Sequence, residues 1–208
     1  MSYIIVVAHQ KGGVGKSTIV SNISVELSKT QNVVVLDLDM QKSLSYFNTL
    51  REESKKLNIC TATNFNEISA IVNNNDKILI IDVGGFDSDL NRAAILAADL
   101  ILTPVSDSVI ELVGLLAFKN ILQDIRQERP NLQAHILLNR VHFNLSTSLN
   151  SIKDFINENP EFELLNSVIR DRVEFKKSFE HGKSVNEFSQ NSKATFEINS
   201  LLKEITKW

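Results

Sequence analysis

One cysteine in 208 residues removes whole classes of chemistry at the outset. Cys60 has no second thiol in the chain with which to form a disulfide, and alone it cannot build a cysteine-clustered metal site or ligate an iron–sulfur cluster within one subunit. A reducing, cytoplasmic compartment is the expectation. No run approaches the ~20 apolar residues of a membrane span. The apolar N-terminal stretch, Tyr3 to Ala8, is too short for a signal peptide, so the chain is expected to be neither exported nor membrane-spanning. Positive charge is not in excess either: 22 Lys plus Arg stand against 25 Asp plus Glu, so any contact with nucleic acid must come from a local patch. The four histidines, His9, His135, His142 and His181, show no metal-ligand spacing and flank no nucleophile motif, and are expected to be structural or surface groups. Too few residues precede the first strand to hold a helix-turn-helix, so sequence-specific operator binding is not expected.

The rest of the chain is ordinary in amount and informative in order. A length of 208 residues with 43% hydrophobic content suits one domain, 1–208, with a sizeable buried core. β-branched apolar runs alternate with longer segments of helical period, without repeats or low-complexity linkers, which predicts an α/β fold: a doubly wound, mostly parallel sheet flanked by helices. Strands are expected near 3–8, 33–37, 58–62, 77–82, 99–105, 134–139 and 164–168. Helices are expected near 16–29, 42–57, 65–75, 87–97, 108–129, 147–158, 171–181 and 190–207. Runs such as Ile78-Leu79-Ile80-Ile81 read as strands buried on both faces. In open sheets of this kind ligands gather at the carboxyl ends of the strands, and the polar motifs fall there.

The first of these motifs is Val7-Ala8-His9-Gln10-Lys11-Gly12-Gly13-Val14-Gly15-Lys16-Ser17-Thr18, between the first strand and the first helix. Its glycines allow the backbone of Gly12, Gly13, Val14 and Gly15 to turn N–H groups inward on a phosphate chain. Lys16 then reaches the β- and γ-phosphates of ATP while the Ser17 hydroxyl ligates Mg²⁺. The usual phosphate loop reads G-x-x-x-x-G-K-[ST], and here Gln10 occupies its first position, so the loop is a variant with a second lysine, Lys11, at its start.

Two carboxylate-bearing strand ends complete the set. Val35-Leu36-Asp37-Leu38-Asp39-Met40-Gln41 puts two carboxylates two residues apart beside the loop. Asp39 is the better placed to orient a water on the γ-phosphate, unless the pair merely caps the following helix. Ile80-Ile81-Asp82-Val83-Gly84-Gly85-Phe86 delivers Asp82 to a strand tip, where it is expected to hold Mg²⁺ through water, followed by a loop with the freedom of a switch. Asn139, ending Ile136-Leu137-Leu138-Asn139-Arg140, is either a contact to the adenine edge or a turn residue.

The K-G-G-x-G-K-[ST]-T string resembles the deviant Walker A loop of the ParA/MinD (SIMIBI) ATPases, a branch of the P-loop NTPases, and small ParA-type partition proteins in particular. The segment after Val35 is similar to their D-x-D-P-Q switch, with Met40 in place of the proline, and Thr103-Pro104-Val105 to their P-V element near the dimer face. Val168 to Val185 resembles their late I-R-x-R…G-x-S-V region. The resemblance implies a weak, partner-stimulated ATPase that forms an ATP-dependent sandwich homodimer, in which Lys11 crosses to the partner's phosphates and Thr18 contacts the α-phosphate. It further implies nonspecific DNA as the matrix, a ParB-like centromere-binding or cargo-adaptor protein as partner, and nucleoid association. Arg170, Arg172, Lys176, Lys177 and Lys183 are the candidate phosphate contacts on DNA, against the plainer reading of a solvated charged helix.

Two alternatives stay open within the resemblance: a MinD-like ATPase acting at the membrane surface, and a positioning ATPase for a protein assembly. A synthetase of the dethiobiotin type would keep the fold but need its own substrate pocket. The last helix, with Ala194, Ile198, Leu201, Leu202, Ile205 and Trp208 on one face, is the membrane candidate. Glutamates interrupt its lysines, so packing back on the sheet is the expectation, leaving Trp208 as the residue that favours lipid.

Overall fold

Alternate residues of each strand point to opposite faces, and in this chain both faces are apolar. The computed structural model describes residues 3–73, 77–108, 110–142 and 147–206. Among them the strands are β1 (Tyr3–Val7), β2 (Val33–Asp37), β3 (Asn58–Cys60), β4 (Ile78–Asp82), β5 (Leu100–Val105), β6 (Ala134–Val141) and β7 (Phe162–Arg170). They form one sheet in the order β3-β2-β4-β1-β5-β6-β7, parallel at every pairing. The helices are α1 (Lys16–Ser28), α2 (Ser43–Thr49), α3 (Phe65–Asn73), α4 (Asp89–Ala97), α5 (Glu111–Ile125), α6 (Thr147–Glu158), α7 (Val173–Glu180), α8 (Val185–Phe188) and α9 (Lys193–Ile205).

Two cores result, one per face. Ile4, Val6, Leu79, Ile81, Ile101 and Ile136 pack with Ile95 of α4, Leu115, Phe118 and Leu122 of α5 and Ile152 of α6. Ile5, Val7, Val35, Ile80, Leu102 and Leu137 pack with Ile19 and Ile23 of α1, Leu44 and Phe47 of α2 and Ile198, Leu201 and Ile205 of α9. The C-terminal helix therefore spends its apolar face on the sheet, as the glutamate-interrupted polar face suggested, and Glu204 accepts hydrogen bonds from the backbone N–H groups of Asn166 and Ser167 on β7. Lys207 and Trp208 lie outside the described residues. Among those described, no helix is long and apolar enough to cross a membrane.

The expected helix over 42–57 is not continuous. α2 stops at Thr49, and a short 3₁₀ turn over Glu53–Lys55 leads into β3. Side chains impose the break. Asn48 donates to the Leu57 carbonyl at 3.0 Å and accepts from the Leu57 N–H at 2.8 Å, folding the chain back on itself. The Arg51 guanidinium donates to the carbonyls of Lys55 and Gly182 and to both Glu187 oxygens, and it lies 5.7 Å from the Phe47 ring. Phe47 in turn meets Phe179 of α7 with ring centroids 5.0 Å apart. Gly182, at φ +62, is required at this joint because a Cβ there would press into the Leu50 and Arg51 backbone. The joint also opens α8, unforeseen from periodicity, which is held by a capping box between Ser184 and Glu187.

Because Ile198 is fully buried between α9 and the sheet, Ile198→Ala is expected to lower the unfolding free energy by about 2–5 kcal/mol in urea titration. A change near zero would show that the last helix is dispensable to the core.

Candidate nucleotide-binding site

Three neighbouring strands, β2, β4 and β1, end side by side. Val7 of β1 is in register with Asp82 of β4, and Asp82 with Asp37 of β2, so two carboxylates and the start of the glycine loop share the carboxyl edge of the sheet. The loop leaves β1, turns at Gly13 and enters α1 through Gly15, whose φ of 96° is closed to ordinary side chains. A Cβ at Gly15 would also collide with the Asn139 amide. That amide donates to the Val14 carbonyl at 2.6 Å, and Arg140, itself left-handed at φ 57°, donates to the Gly13 carbonyl at 3.0 Å. The end of β6 thus clamps the loop from outside. Asn139 still borders the cavity, but one of its donors is committed to the loop backbone.

Lys16 lies inside the loop, 5% exposed, with Nζ donating to the Lys11 carbonyl at 3.2 Å. Burial pulls its pKa down, while Asp82 and Asp39 act to hold its charge. Asp82 is the complementary group. It is fully buried, and neither carboxylate oxygen has a hydrogen-bond partner. Desolvation pushes it up to about 7, with Ser17 and Lys16 favouring the charged form and Asp37 and Asp39 opposing it. Two orphaned carboxylate oxygens acting together with a serine hydroxyl are the oxygen donors a hard divalent cation takes, so the residues fit Mg²⁺.

The two carboxylates of the β2 end have different jobs. Asp37 is buried and accepts from the Asp39 N–H at 3.2 Å and the Ser45 hydroxyl at 3.0 Å, tying the turn to α2. Asp39 is half-buried, faces the cavity, and accepts from the Gln41 N–H at 2.9 Å; the Lys42 N–H closes the turn on the Asp39 carbonyl at 3.0 Å. This turn forms without a proline, leaving Met40 78% exposed at its tip. On the opposite side Gly85 packs on the loop so closely that a Cβ would sit 3.0 Å from the Gly12 nitrogen. The segment following Asp82 is thereby laid directly against the phosphate loop.

Lys11 lies at the rim. Its side chain is 38% exposed and its Nζ donates to Glu111 Oε1 at 2.7 Å. Glu111 opens α5 and is buried; it also accepts from the Ser106 hydroxyl at 2.8 Å. Beneath it lies His9, fully buried, with Nε2 3.6 Å from Glu111 Oε2 and Nδ1 accepting from the Lys11 N–H at 2.9 Å. Burial, with Lys16 and Lys11 alongside, pushes His9 down to about 4 against the pull of Glu111.

These elements border a cavity of about 1010 Å³, ample for a nucleotide. The glycine loop through Thr18 lines it with Asp39, as do Asn139 and Arg140 beside the loop and Arg170, Arg172, Phe175 and Phe179. The basic segment is therefore divided. Arg172 is bound by Glu197 through two nitrogens at 2.9 and 2.6 Å, and Arg170 borders the cavity with one nitrogen 3.4 Å from the His142 carbonyl. Of the five basic candidates, Lys176, Lys177 and Lys183 are exposed, Arg170 and Arg172 are half-buried, and Lys176 borders the cavity along with the two arginines.

Residues 5–185 match the CobQ/CobB/MinD/ParA nucleotide-binding domain. The chain belongs to that family. Among its ParA/MinD-type relatives, Maintenance of carboxysome distribution protein A of Halothiobacillus neapolitanus is 25% identical over 212 residues, covering 98% of this chain and 96% of the relative. Cyanothece McdA in its ATP complex has the same fold, with a TM-score of 0.74 at 16% identity over 98% of this chain and 96% of that one. So does the MinD protein of Pyrococcus horikoshii complexed with Mg-ADP, with a TM-score of 0.69 at 16% identity over 100% and 97% of the two chains.

Within this ParA/MinD frame the structure brings together Lys11, Gly12, Gly13, Val14, Gly15, Lys16, Ser17, Thr18, Asp39, Asp82 and Asn139 around one edge of the sheet. Sequence reasoning missed Glu111 and His9. Both carry a faint signal: Glu111 starts the helix after β5, at the carboxyl edge, and His9 is a polar residue inside the turn itself.

The buried Asp82 generates a pH test. A carboxyl group raised in the folded state contributes stability that is full below its unfolded pKa and lost as pH rises through about 7. In nucleotide-free, Mg²⁺-free protein at pH 8, Asp82→Asn is expected to be more stable by on the order of 2–4 kcal/mol, the gain vanishing towards pH 4. Thermal melts across that range check it.

Proposed function

We propose that this protein is a ParA-like ATPase of the positioning or partition type. The two-lysine loop is the observation that carries this reading: Lys16 is buried among the phosphate-loop amides, while Lys11 stands at the rim, part exposed. ATP occupies the cavity with its phosphates on residues Gly12 to Thr18. Lys16 lies over the β- and γ-phosphates, Thr18 meets the α-phosphate, and Asn139 and the inner end of the cavity receive the base. Ser17 and Asp82 would hold Mg²⁺, Asp82 through water, and the ion would draw off phosphate charge. Asp39, held by its turn, orients the attacking water. Lys11 reaches the phosphates of a second subunit, so that hydrolysis is fast only in the sandwich dimer and after a partner protein has completed the site.

The dimer binds DNA without sequence preference through Lys176, Lys177 and Lys183, doubled by pairing, and the cargo is linked through a ParB-like centromere-binding or cargo-adaptor protein. The working place is the cytoplasm, on the nucleoid. A second reading, positioning of a protein assembly in place of DNA cargo, is favoured by the full-length match to a carboxysome distribution protein. The membrane reading is not favoured, since the apolar face of α9 is buried on the sheet.

Lys16→Ala is expected to abolish ATP binding. Lys11→Ala is expected to keep ATP binding and to lose dimerisation in sedimentation, together with duplex binding in a gel-shift series. Reversing the three exposed lysines to glutamate should weaken duplex binding and flatten its salt dependence by roughly one unit of slope per lost contact, with ATPase activity retained. Duplex binding that ignores nucleotide and salt would refute the DNA-bound dimer.

A further inference from the structure

His9 and Glu111 are buried ionisable groups that the proposed reaction does not use. Each has an unpartnered atom, His9 Nε2 and Glu111 Oε2, and those atoms face each other at 3.6 Å. Lys11 connects to both. Its side chain pairs with Glu111 Oε1, and its backbone N–H bonds His9 Nδ1. The second bond fixes the imidazole. Since Nδ1 accepts, a neutral ring carries its proton on Nε2, towards Glu111, and a second proton can enter only at Nδ1 by displacing the Lys11 N–H. The groups acting on His9 are Glu111 from α5, and Lys11 and Lys16 from the loop; Gly114 of α5 leaves just enough room for the ring, because a Cβ there would strike its Cε1.

We propose that Glu111 and His9 form a proton-linked latch on Lys11: Glu111 holds the lysine within its own subunit, and when Lys11 leaves for a second subunit His9 takes up a proton at Nδ1 and replaces it as the cation beside Glu111. This rests on the sandwich-dimer reading above. The energetic reason is local. Withdrawal of the ammonium leaves the Glu111 carboxylate buried without its cation, a costly arrangement. The same withdrawal removes one of the two positive charges that add to burial in keeping His9 neutral, and a shift of the Lys11 backbone along with its side chain frees Nδ1. A proton taken from bulk water onto the buried ring then restores the ion pair, with no need to hydrate the Glu111 carboxylate. Glu111 thereby acts as a positioning residue for Lys11, and His9 as the counterweight.

The sign follows from linkage. His9 has the higher proton affinity in the released, dimeric state, so dimerisation is favoured below the released-state pKa and this advantage is lost as pH rises through it. The test is the monomer–dimer equilibrium of the full chain, saturated with Mg²⁺ and a nonhydrolysable ATP analogue, by sedimentation at pH 6 and pH 8. Saturation keeps Asp82 metal-bound in both states and out of the comparison. The wild type is expected to dimerise at least about tenfold more tightly at pH 6, the tenfold step per pH unit being the limit for each proton taken up. His9→Asn, which keeps an acceptor near the Nδ1 position but cannot gain a proton, should show no such dependence. Glu111→Gln should dimerise more tightly than wild type at pH 8, because the lysine is no longer held.

Equal wild-type constants at the two pH values overturn the latch and leave the dimer reading intact, as does a pH response in His9→Asn equal to that of wild type. No analogue-dependent dimer at either pH overturns both. Because the wild-type pH response is read without any substitution, a variant that folds poorly does not rescue or sink the proposal.

Discussion

Burying both faces of a parallel sheet leaves one place for polar chemistry: the edge where the strands run out. Val7, Asp82 and Asp37 reach that edge in adjacent register, and their neighbours Ile5, Ile80, Ile81, Val35 and Leu36 lie wholly inside the two cores. The Asp82 carboxylate is the consequence. It ends a strand whose other residues cannot move without opening the core, so it is held at full burial with its oxygens unanswered. Lys16, the glycine loop and the turn at Asp39 are arranged around that unanswered charge. The protein tolerates a group that is unfavourable when empty because the surrounding apolar strands over-determine its position.

Much of this was legible in residue order. The seven strands fall where the apolar runs fall, and the loop from Lys11 to Thr18 takes its place from glycine spacing and the adjacent strand. The carboxyl-edge positions of Asp39, Asp82 and Asn139 follow from the same rule. What periodicity does not encode is which side chain engages which backbone. The end of α2 is set by Asn48 and Arg51, whose partners lie as far as 136 residues away in sequence, so a helix drawn through 42–57 overran it. The short α8 is a product of the Ser184–Glu187 box and has too few residues to show a period. The basic segment 170–183 reads as one charge run in one dimension. In three dimensions Arg172 pairs with Glu197 and Arg170 borders the cavity, while Lys176, Lys177 and Lys183 are exposed, Lys176 at the cavity margin.

The site is also tighter at one margin than its motif implies. Residues from three separate parts of the chain hold the loop's outer rim: His9, Glu111 and the Asn139–Arg140 pair. A phosphate loop is often treated as a self-contained anion nest, yet here three of its carbonyls, those of Lys11, Gly13 and Val14, are taken by side-chain donors. Each of those bonds gives a loop carbonyl its donor before any ligand arrives. Electrostatic order in the empty loop is thus supplied by the protein and need not await the ligand.

The Arg51 joint carries a consequence of another kind. Its guanidinium is bonded simultaneously to the carbonyl of Gly182 and to Glu187, and the Phe47 ring beneath it lies against Phe179 of α7, whose neighbours bear the outward lysines. α2 begins four residues after Asp39. α2, which follows the turn at Asp39, is consequently joined to α7 through the Phe47–Phe179 and Arg51 contacts, beside Gly182 in its left-handed turn. Any movement of the turn at Asp39 that tilts α2 therefore presses through two aromatic rings on the helix that bears Lys176 and Lys177.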